Sequence, residues 1–382
     1  MADPGGEFAA VRHELRYSKL VRIGFIFFGD LQQITGGNVY DKFLVDHLAA
    51  NGHEVDLFAV PEQSYAHHLT HNTSSDLSRA LDGRSYDLLL QDELAHPSLF
   101  RLNRDLKRSL GAPIVSVVHH LRSSEDWPAR EKRLYRRVEE RYLETIDGFV
   151  FNSETTRESV EAILQKIAWS IVATPGGDRL PALLTRSQIE ERAREPGERK
   201  LLFVGNLIER KGLHVLLDAL AELKDEAFRL DIVGRDDLDP DYAREMQAKC
   251  AQLGLTSKVQ FSGALDGEAL AERYRRSHAL VVPSLYEGFG IVFLEAMGFG
   301  LPVIAGGGGA SDEIVRHETT GLLVQPHDIF GLAIQLRRLI EDQQLLARLS
   351  TAALETFATH PTWQQSMTAI ESFLIEVASK KT

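Results

Sequence analysis

Short apolar runs alternate with amphipathic stretches along nearly the whole chain. Val21–Phe28, Val55–Val60, Ile114–Val118 and Phe149–Phe151 come first. The pattern restarts at Leu201–Val204 and continues through Leu230–Val233, Val259–Phe261, Leu280–Val282 and Pro302–Ala305. Each run is brief, rich in Val, Ile and Phe, and bounded by Gly, Pro or Asp, which marks a strand rather than a helix. The runs lack polar alternation, as strands buried on both faces do. Between them, Gly37–Ala50, Pro128–Thr145, Leu213–Leu223, Pro240–Leu253, Gly290–Phe299 and Phe330–Leu349 suit helices, and Thr362–Ser379 closes the chain with apolar residues at helical spacing. Strand–helix alternation predicts an α/β fold with parallel sheets covered by helices on both sides.

The alternation is interrupted between about Pro175 and Lys200. Thr174–Asp178 (TPGGD) is rich in turn residues, Arg186–Arg199 is dense in charge, and a fresh strand begins at Leu201. This predicts two Rossmann-like units, residues 9–180 and 197–360, followed by a terminal helix within 361–382. A chain of 382 residues suffices for two domains of ordinary size. Ligands of open parallel sheets sit beyond the carboxyl ends of the strands. Two such units facing each other would line a cleft with their strand-end loops.

Composition changes this picture little. Met1–Phe8 (MADPGGEF) lacks the apolar core of a secretory signal and reads as a cloning remnant. Cys250 is the only cysteine, so no intrachain disulfide can form, which fits a reducing, cytoplasmic setting. The net charge of −12 argues against a broad nucleic-acid surface. No apolar run is long enough to span a membrane. Locally the first half is basic, at Lys132, Arg133, Arg136, Arg137 and Arg141 and at Arg101, Arg104, Lys107 and Arg108. These could be solvated helix faces, or a patch that docks peripherally on an anionic inner membrane face.

The strand ends carry the candidate chemistry. Ser284–Glu295 (SLYEGFGIVFLE) leaves the strand Leu280–Val282 and runs into a helix. Gly288, Phe289, Gly290 and Ile291 lead into the helix start, whose unpaired N–H groups and positive dipole end suit a diphosphate. Glu287 lies in the turn and Glu295 further along, and carboxylates accept hydrogen bonds from sugar hydroxyls. Either acid alone could be an ordinary helix-start or helix-surface residue. In Phe203–Leu213 (FVGNLIERKGL) a strand ends at Gly205, and Arg210 and Lys211 precede a helix. Two cations there would stabilise a leaving diphosphate, though an isolated Arg-Lys is more often a solvated turn. Gly36 and Gly37 bare the backbone after the first strand. His119 directly follows Ile114–Val118, a place where a lone histidine is more often structural. Ser153 reads as a helix cap. His67, His68 and His71 lack a partner carboxylate or cysteine for a metal site, and Asp236, Asp237 and Asp239 read as capping the next helix.

Taken together, these segments resemble the retaining family-4 glycosyltransferases of the GT-B fold. The resemblance rests on Glu287 and Glu295 with seven residues between them, and on Pro283-Ser284, Glu295-Ala296-Met297, Gly300–Ile304, Glu313-Ile314-Val315 and Thr320–Val324 around them. Gly205 with Arg210-Lys211-Gly212 adds to it. Gly36-Gly37 followed by Gly52-His53-Glu54-Val55 adds more loosely. It spans about residues 20–380 and is most specific from about 201 to 326. It implies a donor-binding C-terminal domain, an acceptor-side N-terminal domain, and a final helix crossing back to the latter. Glu287 would contact the donor sugar, and the amides of Gly288–Ile291 its hydroxyls or phosphate. Glu295 would bind the ribose, Arg210 and Lys211 the diphosphate, and Gly37 would lie beside the phosphates. His119 would contact the sugar near its reacting carbon. The family often shows His-Asp where this chain has His119-His120, which leaves the imidazole's orientation open. It shows Pro-Asn-Gly-Val-Asp where this chain has Thr174–Asp178. The implied activity is retaining transfer of a hexose from a UDP- or GDP-sugar to a glycan, lipid or small-molecule hydroxyl, with no metal or other cofactor. Alternatives on the same architecture are a nucleotide-sugar epimerase, a sugar phosphorylase or a non-catalytic nucleotide-sugar-binding chain.

Overall fold

The structure, a computed structural model, describes residues 20–380 apart from 34, 73–75, 82, 168 and 183. Met1–Phe8, read above as a cloning remnant, lies outside the described residues. The first unit contains β1 (Arg22–Phe28), β2 (Glu54–Val60), β3 (Leu88–Asp92), β4 (Ile114–Val118), β5 (Gly148–Phe151) and β6 (Ser170–Val172). They form one parallel sheet in the order β2-β1-β3-β4-β5-β6. The second contains β7 (Arg199–Val204), β8 (Phe228–Val233), β9 (Val259–Gly263), β10 (Ala279–Val282), β11 (Val303–Gly306) and β12 (Gly321–Val324). These order as β12-β11-β10-β7-β8-β9, also parallel. These two parallel six-stranded sheets are the pair of Rossmann-like units that the GT-B resemblance implied.

Strand order fixes where a ligand can sit. In the second sheet the order reverses between β7 and β10, so the loops leaving these two strands diverge and open a crevice. Those loops carry Arg210-Lys211 and Glu287. In the first sheet the reversal lies between β1 and β3, and the loop after β1 leads into the helix Gly36–Ala50.

Two sequence-based expectations need correction. Phe330–Leu349 is not one helix. Ile329–Glu341 ends at Asp342, which leaves helical geometry (φ −96°, ψ 95°). Its carboxylate accepts from the N–H groups of Gln344 and Leu345 and starts a new helix, Gln343–Thr359. Nor does the second unit begin at 197. Arg186–Arg194 is a helix opened by a Thr185–Gln188 capping box. Its Ile189 and Ala193 are buried, and Ala193 belongs to the core of the second sheet. Its charged residues form the solvent face of an amphipathic helix, so charge density alone did not mark a linker.

The final helix, Trp363–Ser379, packs on the first sheet. Met367, Ile370, Leu374 and Val377 share a core with Ile23, Phe25, Leu88 and Val115. Trp363 stacks on Phe43 with ring centroids 4.2 Å apart. Its buried Glu371 accepts hydrogen bonds from His47, Asn51 and His53.

Candidate active site

A cavity of about 370 Å³ lies between the strand ends of the two sheets. Gly36, Gly37, His119, Gly205, Arg210, Lys211, Glu287, Gly288, Phe289, Gly290, Ile291 and Glu295 all line it. They come from the segments that follow four strands, β1 and β4 in one sheet and β7 and β10 in the other.

Two helix starts face each other across this space. Thr35 caps Gly36–Ala50, its hydroxyl accepting from Asn38 N–H at 3.2 Å. Opposite, Gly290 precedes Ile291–Gly298 with φ +97°, a conformation that strains any residue with a Cβ. The Ile291 side chain reaches to within 4.0 Å of where a Cβ on Gly36 would lie. Two positive dipole ends thus converge on one cavity.

The charged groups of the second unit form a network. Lys211 Nζ donates to Glu287 Oε1 at 2.6 Å, and the Ser284 hydroxyl donates to the same oxygen at 2.6 Å. Burial raises the Glu287 pKa, but Lys211, Arg210 and Ser284 outweigh it and hold the carboxyl below its usual range. Burial pulls the Lys211 ammonium down. Arg210 donates to the Tyr286 carbonyl at 2.7 Å. From the first unit, Glu125 comes within 3.4 Å of Arg210 and accepts from His120 at 2.9 Å.

Glu295 lies in the cavity wall, but both its oxygens are already engaged. Arg179 donates to Oε1 at 2.7 Å and Tyr274 to Oε2 at 3.1 Å. Arg179, which follows the TPGGD turn, also pairs with Asp266 at 2.7 Å and lines the cavity. The sequence reading did not select it. The position, one residue past a turn between the two sheets, was its only sequence signal.

His119 is buried, its Nε2 3.0 Å from Asp41 Oδ1. Its carbonyl accepts from Asn152 at 2.9 Å. A Cβ on Gly288 would lie 2.3 Å from that same carbonyl, so the two units touch here. Ser153 caps its helix as read from the sequence and also donates to the Gly288 carbonyl at 2.9 Å. Away from the cavity, His68 and His71 each bond the Ser98 hydroxyl, and Asp239 caps its helix through Tyr242 N–H.

Residues 185–356 match the family model for glycosyl transferases group 1. The C-terminal half is a group 1 glycosyltransferase domain. An uncharacterized glycosyltransferase of Methanocaldococcus jannaschii is 38% identical over 146 residues, 38% of this chain and 36% of that protein. A D-inositol 3-phosphate glycosyltransferase of Corynebacterium efficiens is 29% identical over 321 residues, covering 78% of this chain and 73% of the relative. Sucrose-phosphate synthase from Thermosynechococcus elongatus superposes with TM-score 0.76 at 24% identity, over 92% of this chain and 97% of that one. Anabaena HepE, solved with UDP and glucose, gives 0.71 at 19% identity over 91% and 98%. At these identities the structural matches establish the shared fold. The matched residues run from the helix Arg186–Arg194 into the helix Gln343–Thr359 and so contain Arg210, Lys211, Glu287 and Glu295.

Proposed function

We propose that the chain transfers a hexose from a nucleoside-diphosphate sugar, UDP- or GDP-linked, to an acceptor hydroxyl with retention at the anomeric carbon. The observation that carries this reading is the convergence of Arg210, the Lys211–Glu287 pair and two helix N-termini on one cavity. The diphosphate lies between the helix starts at Gly36 and Ile291 and against Arg210 and Lys211. Glu287 and His119 hold the hexose, and the ribose shares Glu295 with Arg179. As the bond from the anomeric carbon to the diphosphate breaks, the acceptor oxygen bonds that carbon from the same face. The hydroxyl proton passes to the departing phosphate oxygen. Fixed cations and dipoles take the charge developing on the diphosphate, so the reading assigns no step to a metal.

The acceptor enters from the first unit. On the helix Ala129–Leu143, Arg130, Lys132, Arg133, Arg137 and Arg141 are exposed and form no ion pair among the described residues. Leu134, 46% exposed, lies among them. That surface supports peripheral contact with anionic lipid. No helix among the described residues is long and apolar enough to cross a membrane.

A thermal-shift screen against UDP, GDP, ADP and their common sugars tests the reading. One nucleotide series should raise the melting temperature with concentration, and Arg210→Ala should lower turnover of its sugar by roughly 10²-fold or more. Undiminished turnover in that variant sinks the assignment. Donor consumption without any acceptor would favour an epimerase, and binding without turnover a non-catalytic chain.

A further inference from the structure

The sequence left the orientation of His119 open, and the fold supplies its partners. Asp41 sits on the inward face of the helix Gly36–Ala50, where Tyr40, Leu44 and Leu48 are also buried. It is 1% exposed. Its only side-chain hydrogen bond among the described residues is to His119 Nε2, and its second oxygen has no partner. A buried carboxylate costs stability unless it is paired, so the imidazole is the one group that makes Asp41 tolerable there. Asp92, at the end of β3, brings a second carboxylate. The nitrogen and the two carboxylates have one atom each within 4.8 Å of one another. Tyr40 stands edge-on to the ring at 5.5 Å. The other ring nitrogen, Nδ1, takes no hydrogen bond from the described residues, and the ring lines the cavity.

We propose that Asp41, backed by Asp92, is a positioning residue that fixes the His119 ring so that Nδ1 serves the sugar site as a hydrogen-bond donor. This rests on the glycosyltransferase reading. An imidazole that donates to Asp41 through Nε2 presents Nδ1 as a donor only when both nitrogens carry protons. The surrounding charges keep it in that state. Burial alone would strip the proton, but Asp41 first, and then Asp92 and Glu93 as they ionise near pH 8, outweigh it and push the His119 pKa up to about 9. His120, next in the chain, is paired with Glu125. Across the cavity, Lys211 is matched by Glu287. Because the pKa is raised, the donor form persists at neutral pH and is lost as pH rises through about 9.

The test is a ¹⁵N NMR titration of the histidine rings in the full chain, with His119 assigned by His119→Gln. This needs no substrate. His119 should stay doubly protonated to about pH 9, and in Asp41→Asn its midpoint should fall by about one to three pH units. A wild-type midpoint near the ordinary histidine value, or one unmoved by Asp41→Asn, overturns the proposal. Failure of Asp41→Asn to fold leaves the wild-type titration decisive. With UDP-glucose or GDP-mannose, whichever the screen selects, Asp41→Asn should turn over roughly tenfold to a hundredfold more slowly at neutral pH, the range for losing one charge-assisted hydrogen bond. Its alkaline limb should move with the NMR midpoint, and Asp41→Glu should recover part of the loss. A rate limb that ignores the shift in midpoint also overturns the proposal. If no nucleotide binds at all, the glycosyltransferase reading fails, while the titration still reports on the dyad.

Discussion

At the scale of single residues, the same burial that raises a carboxyl's pKa has opposite outcomes depending on its neighbours. Glu287 is buried beside Lys211, Arg210 and Ser284 and stays ionised. Glu93, at the end of β3, is fully buried and neither of its oxygens has a hydrogen-bond partner. Burial first, and Glu139 with it, pushes its pKa up to about 8. The unfolded carboxyl releases its proton near 4.5, whereas the folded one holds it to about 8. The unfolded state therefore binds fewer protons between these values, and stability falls as pH rises through that window. Glu93→Gln should flatten this dependence, most clearly at pH 8. Chemical denaturation of both proteins from pH 5 to 8 checks it, and parallel curves would remove the explanation. Nothing local to Glu93 in the sequence announces this, since an acid after a strand usually faces water.

At the scale of elements, most strands were legible because a strand buried on both faces must be an uninterrupted apolar run. Val21–Phe28, Ile114–Val118 and Val259–Phe261 differ from β1, β4 and β9 by at most two residues at either end. The edge strand β6 is partly exposed over its three residues and so left no run to find. Helix ends depend on single capping atoms. Apolar periodicity runs through Asp342, but its side chain caps the second helix and divides the predicted one. Asp342→Ala should cost about 1 kcal/mol in an unfolding titration. Because Asp342 does not line the cavity, donor-induced stabilisation should be unchanged. An equal loss of donor binding would mean this helix pair supports the cleft.

At the scale of the whole molecule, the cavity exists only where the two sheets meet. The units are tied at the His119 carbonyl through Gly288, at Glu313, which accepts from the N–H groups of Glu154 and Thr155, and at Arg235, which donates to Gln33. The final helix adds the chain's return onto the first core. A methyl group at Gly288 would lie 2.3 Å from the His119 oxygen, so Gly288→Ala must push the two units apart. Displacing reacting groups by about 1 Å can cost roughly 10²-fold in rate. Gly288→Ala should therefore lose turnover on that order while each unit keeps its cooperative melt. Wild-type turnover in that variant would show that the contact is not needed in the reacting state.

The sequence by itself determined the strand–helix alternation, the two Rossmann-like units and the cavity residues that follow strands. These depend on local burial periodicity and on glycines and charges at strand ends, which short segments express on their own. Only the tertiary structure decided which side chains meet. Asp41 and His119 are separated by 78 positions, and Arg179 and Glu295 by 116. Asp41 had a faint signal, an acid at helical spacing from the buried Leu44 and Leu48, but its partner could not be named from that. The pairing, and with it the charge of each buried group, follows from strand order and from the seating of one sheet against the other, which local pattern does not encode.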